Sequence, residues 1–432
     1  MSVFNQQLKQ SVIWRGFYFI TLLLVNIFLS RFLQADGAGI LFYLANLFSF
    51  GVLLLSFNLD GGFTFFSSSK QIHHSKLAFL SLIWTIIIIT ILLIFLPFYF
   101  RFFDKEFNVK DLNLTTLGVY YIAGILLLNF FTALFYSLGN FFLPNLILGI
   151  SNLFFIGLLY FGSLTNTTAT DIVNDFFKFI LFQGVLLAIV FYWAEGKIPT
   201  LSLPNSSELK QLLKYSSISL LGNFLFFFVY RLDYWFVKEW CLQSGELGNY
   251  IQASKFSQML LIAPQILAST IFPQMASGIE RKEIVLSIMR IFRILSVVFL
   301  VLFIIILLFG KLIFPFVFGF TFNLMYLPML ILLPGIFCLS FSTLLSAYFS
   351  GKKQNHINVY AAAFALVVMF IFTFLLKSQY SIHIAALIST LAYFSETLYC
   401  YLKFIKNESV KVKDFFRYSK ADWRWLIHIF IK

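Results

Sequence analysis

The chain of 432 residues carries 31 Lys+Arg against 18 Asp+Glu, a formal net charge of +13, and 60% of it is apolar, with 60 Phe and a mean hydropathy of +0.90. Charged residues make up 11%, where a soluble domain carries roughly 25%. This excludes a soluble enzyme, a disordered chain and a disulfide scaffold, and Cys241, Cys338 and Cys400 lie too far apart for a metal or redox motif.

A hydrocarbon core ~30 Å thick needs about 20 apolar residues of helix. Taken in chain order, stretches poor in charge predict helices over 11–34, 38–66, 77–100, 114–138, 141–162, 175–194, 212–241, 246–275, 291–310, 326–350, 356–376 and 382–403. The expected fold class is all-α and polytopic, with about twelve transmembrane helices. The first segment lacks a small-residue cleavage site and reads as the start of the bundle rather than a secretory signal. Gly139-Asn140 and Pro144 separate the fourth and fifth helices. The expected organisation is a six-helix bundle over 1–195, a linker over 196–211 containing Pro199 and Pro204, a second six-helix bundle over 212–403, and a basic tail over 404–432. That tail mixes Phe415, Phe416, Trp423, Trp425 and Leu426 with Arg417, Lys420 and Arg424, as a helix lying at the inner interface does.

With the N-terminus inside, cytoplasmic segments collect 21 Lys and Arg and the outer segments five. The positive-inside rule therefore predicts that both termini are cytoplasmic. The +13 then reports topology, and no nucleic-acid partner is implied, since that reading needs a basic face on a soluble fold.

Placing 33–39 over 242–248, at an offset of 209, gives three identities and an Ala/Ser pair. Both segments join an odd-numbered helix to the next on the same side, which predicts a parallel repeat.

Ionisable groups at mid-bilayer are costly and face cavities or each other. Arg231 and Asp233 on helix seven and Lys255 on helix eight fall in one layer, the two cations about 14 Å from the outer helix ends. Asp233 is expected to pair with Lys255. Gln252 and Gln258 flank Lys255 as a polar stripe, and the offset of 209 maps that stripe onto Tyr43, Asn46 and Ser49 in helix two. The two stripes suggest a wet cleft, with Arg231 and Lys255 suited to an anion and the others to sugar hydroxyls. A buried ion network that only locks helices together explains the charges equally simply. Asp60 reads as a terminator near the inner end of helix two, Glu396 as either an ion-coupling carboxylate or, the reading favoured, one snorkelling toward the inner interface, and Asp175 and Lys178 as an i,i+3 pair. The five histidines show no metal spacing, and no GxxxxGK[ST] loop is present, so no metal, nucleotide or other cofactor is expected.

The run from Ser30-Arg31-Phe32-Leu33 to Gly37-Ala38-Gly39, then Leu59-Asp60-Gly61-Gly62, Tyr230-Arg231-Leu232-Asp233-Tyr234-Trp235, Glu246-Leu247-Gly248-Asn249-Tyr250, Phe318-Gly319 and Tyr348-Phe349-Ser350-Gly351-Lys352, resembles the polysaccharide flippases of the MOP exporter superfamily. The resemblance covers nearly the whole chain. It implies a V-shaped MATE-like fold in the bacterial inner membrane. It also implies translocation, without enzymatic chemistry, of undecaprenyl-diphosphate-linked O-antigen, capsule or exopolysaccharide repeat units from the cytoplasmic to the periplasmic leaflet. Expected partners are the lipid-linked oligosaccharide diphosphate, membrane lipid, a polysaccharide polymerase and glycosyltransferases. A cation-coupled multidrug exporter of the same superfamily is the first alternative. A membrane polymerase or glycosyltransferase is the second, and it needs large catalytic outer loops that the sequence does not offer.

Overall fold

The computed structural model describes residues 3–103, 112–164, 168–194, 202–276, 281–352, 354–419 and 422. Apolar runs become helices because lipid offers no partner for backbone N–H and C=O groups, so each span must satisfy its own. In chain order these are α1 (Val3–Leu55), α2 (Leu59–Ser68), α3 (His74–Phe103), α4 (Leu114–Ser137), α5 (Phe142–Leu164), α6 (Ala169–Ala194), α7 (Ser206–Trp240), α8 (Glu246–Met259), α9 (Ile262–Ala276), α10 (Arg281–Phe318), α11 (Tyr326–Gly351), α12 (Asn355–Leu375), α13 (Ile382–Glu408) and the short α14 (Val412–Phe415).

Nine helices among the described residues are individually long and apolar enough to cross a membrane. The first, Ile13–Leu55, holds two passes, because Gln34 leaves helical geometry at φ 57° and ψ −178° and bends it. Adding α13, and α8 with α9 as one broken pass, gives twelve. The protein is thus an all-α, multi-pass membrane protein.

Two helices expected to be continuous are interrupted. The second pass breaks over 56–58, where Phe57 and Asn58 adopt left-handed φ of 51° and 53°, before α2 resumes. Asp60 consequently sits in the first turn of α2, not at its inner end, where its charge complements the helix dipole. The eighth pass breaks at Leu260–Leu261, ahead of Pro264. The first break lies 22–24 residues after Gln34 and the second 15–16 after Gly245, so under the offset of 209 the two do not coincide.

The chain divides into two compact units, Met1–Phe224 and Leu225–Lys432, with the boundary inside α7. In the first unit α4 packs chiefly on α6 and α3, while α1 packs on α5. The α4–α6 contact is backbone on backbone: a Cβ on Gly124 would lie 2.6 Å from the Ile180 carbonyl oxygen, and one on Gly184 2.5 Å from that of Gly124. Small residues at such crossings let dispersion act between backbones where no hydrophobic drive exists in lipid. Beside it runs a buried polar chain in which Gln183 Nε2 donates to Ser151 Oγ (2.7 Å) and Asn152 Oδ1 (2.9 Å), and Asn152 Nδ2 donates to Thr21 Oγ1 (3.1 Å), tying α6 to α5 and α1.

In the second unit α11 is central, packed by α13, α9, α10 and α8. The chain beyond α13 folds back on this unit. Phe415 is fully buried, in ring contact with Phe292, Phe341, Tyr401 and Phe404. Arg293 holds the same segment, with Nε and Nη2 donating to the two Asp422 carboxylate oxygens at 2.9 and 2.8 Å and Nη1 to the Asp414 carbonyl at 2.8 Å. The expected interfacial residues Lys420, Trp423, Arg424, Trp425 and Leu426, and 196–201 of the expected linker, lie outside the described residues; the rest of the linker leads into α7.

Candidate functional site

The polar residues singled out on the second pass of the first unit are neither equally placed nor equally satisfied. Tyr43 is buried. Asn46 is 5% exposed and neither its amide oxygen nor its nitrogen has a hydrogen-bond partner. Ser49 is half-buried, donates to the Ala45 carbonyl at 2.7 Å and meets the Tyr121 hydroxyl at 2.8 Å.

In the second unit the helix seven and eight residues sort into two chains. The first starts at half-buried Arg231, whose Nη1 donates to the Tyr234 hydroxyl at 2.8 Å. That hydroxyl donates to Ser254 Oγ at 3.0 Å, and Gln258 Nε2 reaches Ser254 Oγ at 3.2 Å and the Tyr230 carbonyl at 3.3 Å. α7 and α8 are thereby clipped together, with Arg231 and Gln258 on one network. Lys255, the residue after Ser254, is also half-buried and feels the charge of Arg231 through space. Arg231 and Lys255 are thus near enough to interact electrostatically.

The second chain belongs to Asp233, which is 2% exposed. Its Oδ2 accepts from the Tyr250 hydroxyl and from Ser389 Oγ (2.9 Å), while Oδ1 has no hydrogen-bond partner. The expected Asp233–Lys255 hydrogen bond is therefore absent, and Asp233 instead joins α7 to α8 and α13. The reason is rotational: residues two apart point ~200° apart around a helix, so Asp233 turns into the bundle while Arg231 keeps partial exposure. Gln252 is 1% exposed with an unpartnered Oε1, which separates it from the half-buried Lys255 and Gln258.

A further acid is buried, against the reading that sequence favoured for it. Glu396 does not reach for the interface: it is 2% exposed, its Oε1 accepts from Ser342 Oγ at 2.9 Å, and its Oε2 has no partner. It shares one face of α13 with Ser389, Tyr393 and Cys400, all buried, at spacings of four, three and four. That i, i+4, i+7, i+11 pattern was the available signal. Among the described residues no group of His, Cys, Asp and Glu is placed to hold a metal ion.

No protein-family model matches the sequence, and none of the curated proteins does either. Solved structures do. The lipid II flippase MurJ in an inward closed conformation superposes with a TM-score of 0.70 at 15% identity, over 97% of this chain and 92% of that one. An inward-facing multidrug resistance MATE family transporter of the MOP superfamily gives 0.68 at 15% identity, over 91% and 93%. The chain has the fold of the MOP transporters. A third such transporter, from Pyrococcus furiosus and described by the reverse polarity of its binding pocket, gives 0.61 at 14% identity, over 93% and 95%. One fold therefore carries pockets of different polarity, and the substrate has to be argued from the side chains.

Proposed function

We propose that the protein translocates an undecaprenyl-diphosphate-linked oligosaccharide from the cytoplasmic to the periplasmic leaflet of a bacterial inner membrane by alternating access. The observation that carries this reading is the cationic layer. Arg231 and Lys255 are half-buried, each nine residues from the helix end that adjoins the α7–α8 turn, and Asp233, the nearest acid in sequence, is spent on two hydroxyls inside the bundle. A diphosphate is the membrane-borne anion that repays two such cations, through charge-assisted hydrogen bonds in a low-dielectric setting. Gln258, on the same network as Arg231, suits a sugar hydroxyl, as do Ser49 and, after local opening, Tyr43, Asn46 and Gln252. The fold shared with a structure named as a lipid II flippase supports the class of cargo. An O-antigen, capsule or exopolysaccharide repeat unit fits the sequence resemblance, with a polysaccharide polymerase and glycosyltransferases acting before and after it.

A multidrug exporter is the second reading, favoured by the MATE structures and by two buried carboxylates, Asp233 and Glu396, able to bind a cation. Arg231→Ala and Lys255→Ala separate the two. Under the flippase reading both variants reach the membrane at normal abundance, yet lipid-linked repeat units accumulate on the cytoplasmic leaflet and surface polysaccharide falls. Arg231→Lys retains part of the function and Arg231→Glu none. Unchanged surface polysaccharide combined with sensitivity to cationic drugs in a deletion strain would overturn the flippase reading and leave the exporter.

A further inference from the structure

A hollow in the first unit lies between α5 and α6. It encloses about 370 Å³ and is walled by Phe154, Leu158, Leu159, Ile172 and Phe182 over a floor where Phe155 and Phe179 stack at 4.2 Å and 7°. Both helices are candidate membrane spans, and Phe154, Leu158 and Phe182 are 60%, 51% and 49% exposed, so the groove opens to the lipid. The lining from Ile172 to Phe182 runs ~15 Å along the helix, one leaflet of a ~30 Å core.

Among the described residues of the lining only Asp175 and Lys178 are charged, and they edge the groove on α6 between Ile172 and Phe179. Their side chains lie 3.2 Å apart, 56% and 61% exposed. Asp171, one turn before Asp175, adds a second negative charge facing Lys178 and is itself held by Thr168. Along α6 the order is Asp171, Asp175, Lys178, so the cation lies beyond both anions; only Asp175 and Lys178 line the groove, and the three together carry a net charge of −1 at its mouth. Such a mouth repels a diphosphate or a phosphoglycerol headgroup. It complements a headgroup that carries both a phosphate, for Lys178, and a primary amine, for Asp175.

We propose that the α5–α6 groove is a binding site for an aminophospholipid of the phosphatidylethanolamine class, one acyl chain lying over the Phe155–Phe179 stack and the headgroup bridging Lys178 and Asp175. The site is separate from the Arg231–Lys255 layer, and its success or failure leaves the flippase reading untouched.

The test uses the full-length protein in nanodiscs of equimolar phosphatidylethanolamine and phosphatidylglycerol, with lipids retained after extraction counted by native mass spectrometry. Wild type should retain the ethanolamine lipid over the glycerol lipid roughly threefold, the scale of a partly exposed charge pair. Asp175→Asn removes the amine's partner and should move the preference toward the glycerol lipid. Leu158→Trp should fill the groove and remove one retained lipid per protein while thermal stability holds. Equal retention of the two lipids by wild type overturns the proposal, as does an unchanged preference in Asp175→Asn. Displacement of the ethanolamine lipid by a polyprenyl diphosphate assigns the groove to the transported lipid and overturns it as well.

Discussion

Asp233 separates a structural clamp from a binding layer, and the prediction can be sized. Replacing it by Ala leaves the buried Tyr250 and Ser389 hydroxyls with only each other, 3.3 Å apart, so one donor is stranded. A stranded donor costs about 1–3 kcal/mol, less whatever is recovered by no longer burying a carboxylate. Asp233→Asn keeps an oxygen able to accept both hydroxyls and forfeits only the charge-assisted part, about 1 kcal/mol. Lys255→Ala removes a half-buried amine that the clamp does not use and should cost little. The assay is heat treatment of detergent-solubilised protein followed by size-exclusion chromatography of a fluorescent fusion, which gives a midpoint for each variant. The expected order is wild type and Lys255→Ala together, Asp233→Asn slightly below, and Asp233→Ala lowest. If Asp233→Ala matches wild type, the clamp is not holding α7, α8 and α13. If Lys255→Ala falls as far as Asp233→Ala, all the charges form one locking network and the cationic layer is structural.

Arg293 holds the Asp422 carboxyl below the usual carboxylate range through its paired hydrogen bonds, with Ser419 N–H adding a third. A depressed folded pKa contributes stability that is present above the unfolded value of ~4 and lost as pH falls through the folded value. The segment over 411–422 should therefore stay docked at neutral pH and be released only in strong acid, or at neutral pH in Asp422→Ala, as read by amide hydrogen exchange. Gly184→Val should abolish accumulation in the membrane, because its Cβ meets the Gly124 carbonyl oxygen at 2.5 Å and backbone cannot yield at a cost below about 3 kcal/mol. Membrane abundance of the fusion checks it, with Gly157→Val, where a Cβ meets open space, as the control that should accumulate. Glu396→Gln should melt at or above wild type, since the Ser342 hydroxyl keeps its acceptor and a buried charge is removed. A midpoint lowered by more than a few degrees would mean that Oε2 is held by something essential to the fold.

The spans were legible because the requirement that sets them is one-dimensional: some twenty apolar residues in a row satisfy the hydrocarbon core whatever they pack against. The helix predicted over 114–138 and the observed α4 (Leu114–Ser137) differ by one residue for that reason. The breaks at 56–58 and at Leu260–Leu261 were illegible because each involves only two or three residues inside a stretch long enough to read as one helix. Hydropathy does not register a change of φ sign at Phe57 and Asn58. The charge layer was half legible. Depth follows from a fixed rise per residue, which is the ground for assigning Arg231 and Lys255 to one level. Partners depend on how neighbouring helices are rotated, which the sequence does not print, and Asp233 found Tyr250 and Ser389 instead of Lys255. Glu396 shows the same limit from the other side. Two turns from a helix end is close enough to snorkel, but Ser342 on α11 offers an acceptor's partner inside the bundle, and α13 presents that face inward. Position along a membrane helix therefore says what a charge costs. The facing helix decides whether that cost is met by water, by a hydroxyl or by a ligand, and in this chain the half-buried cations are the groups for which a bundle hydroxyl alone is the weakest match.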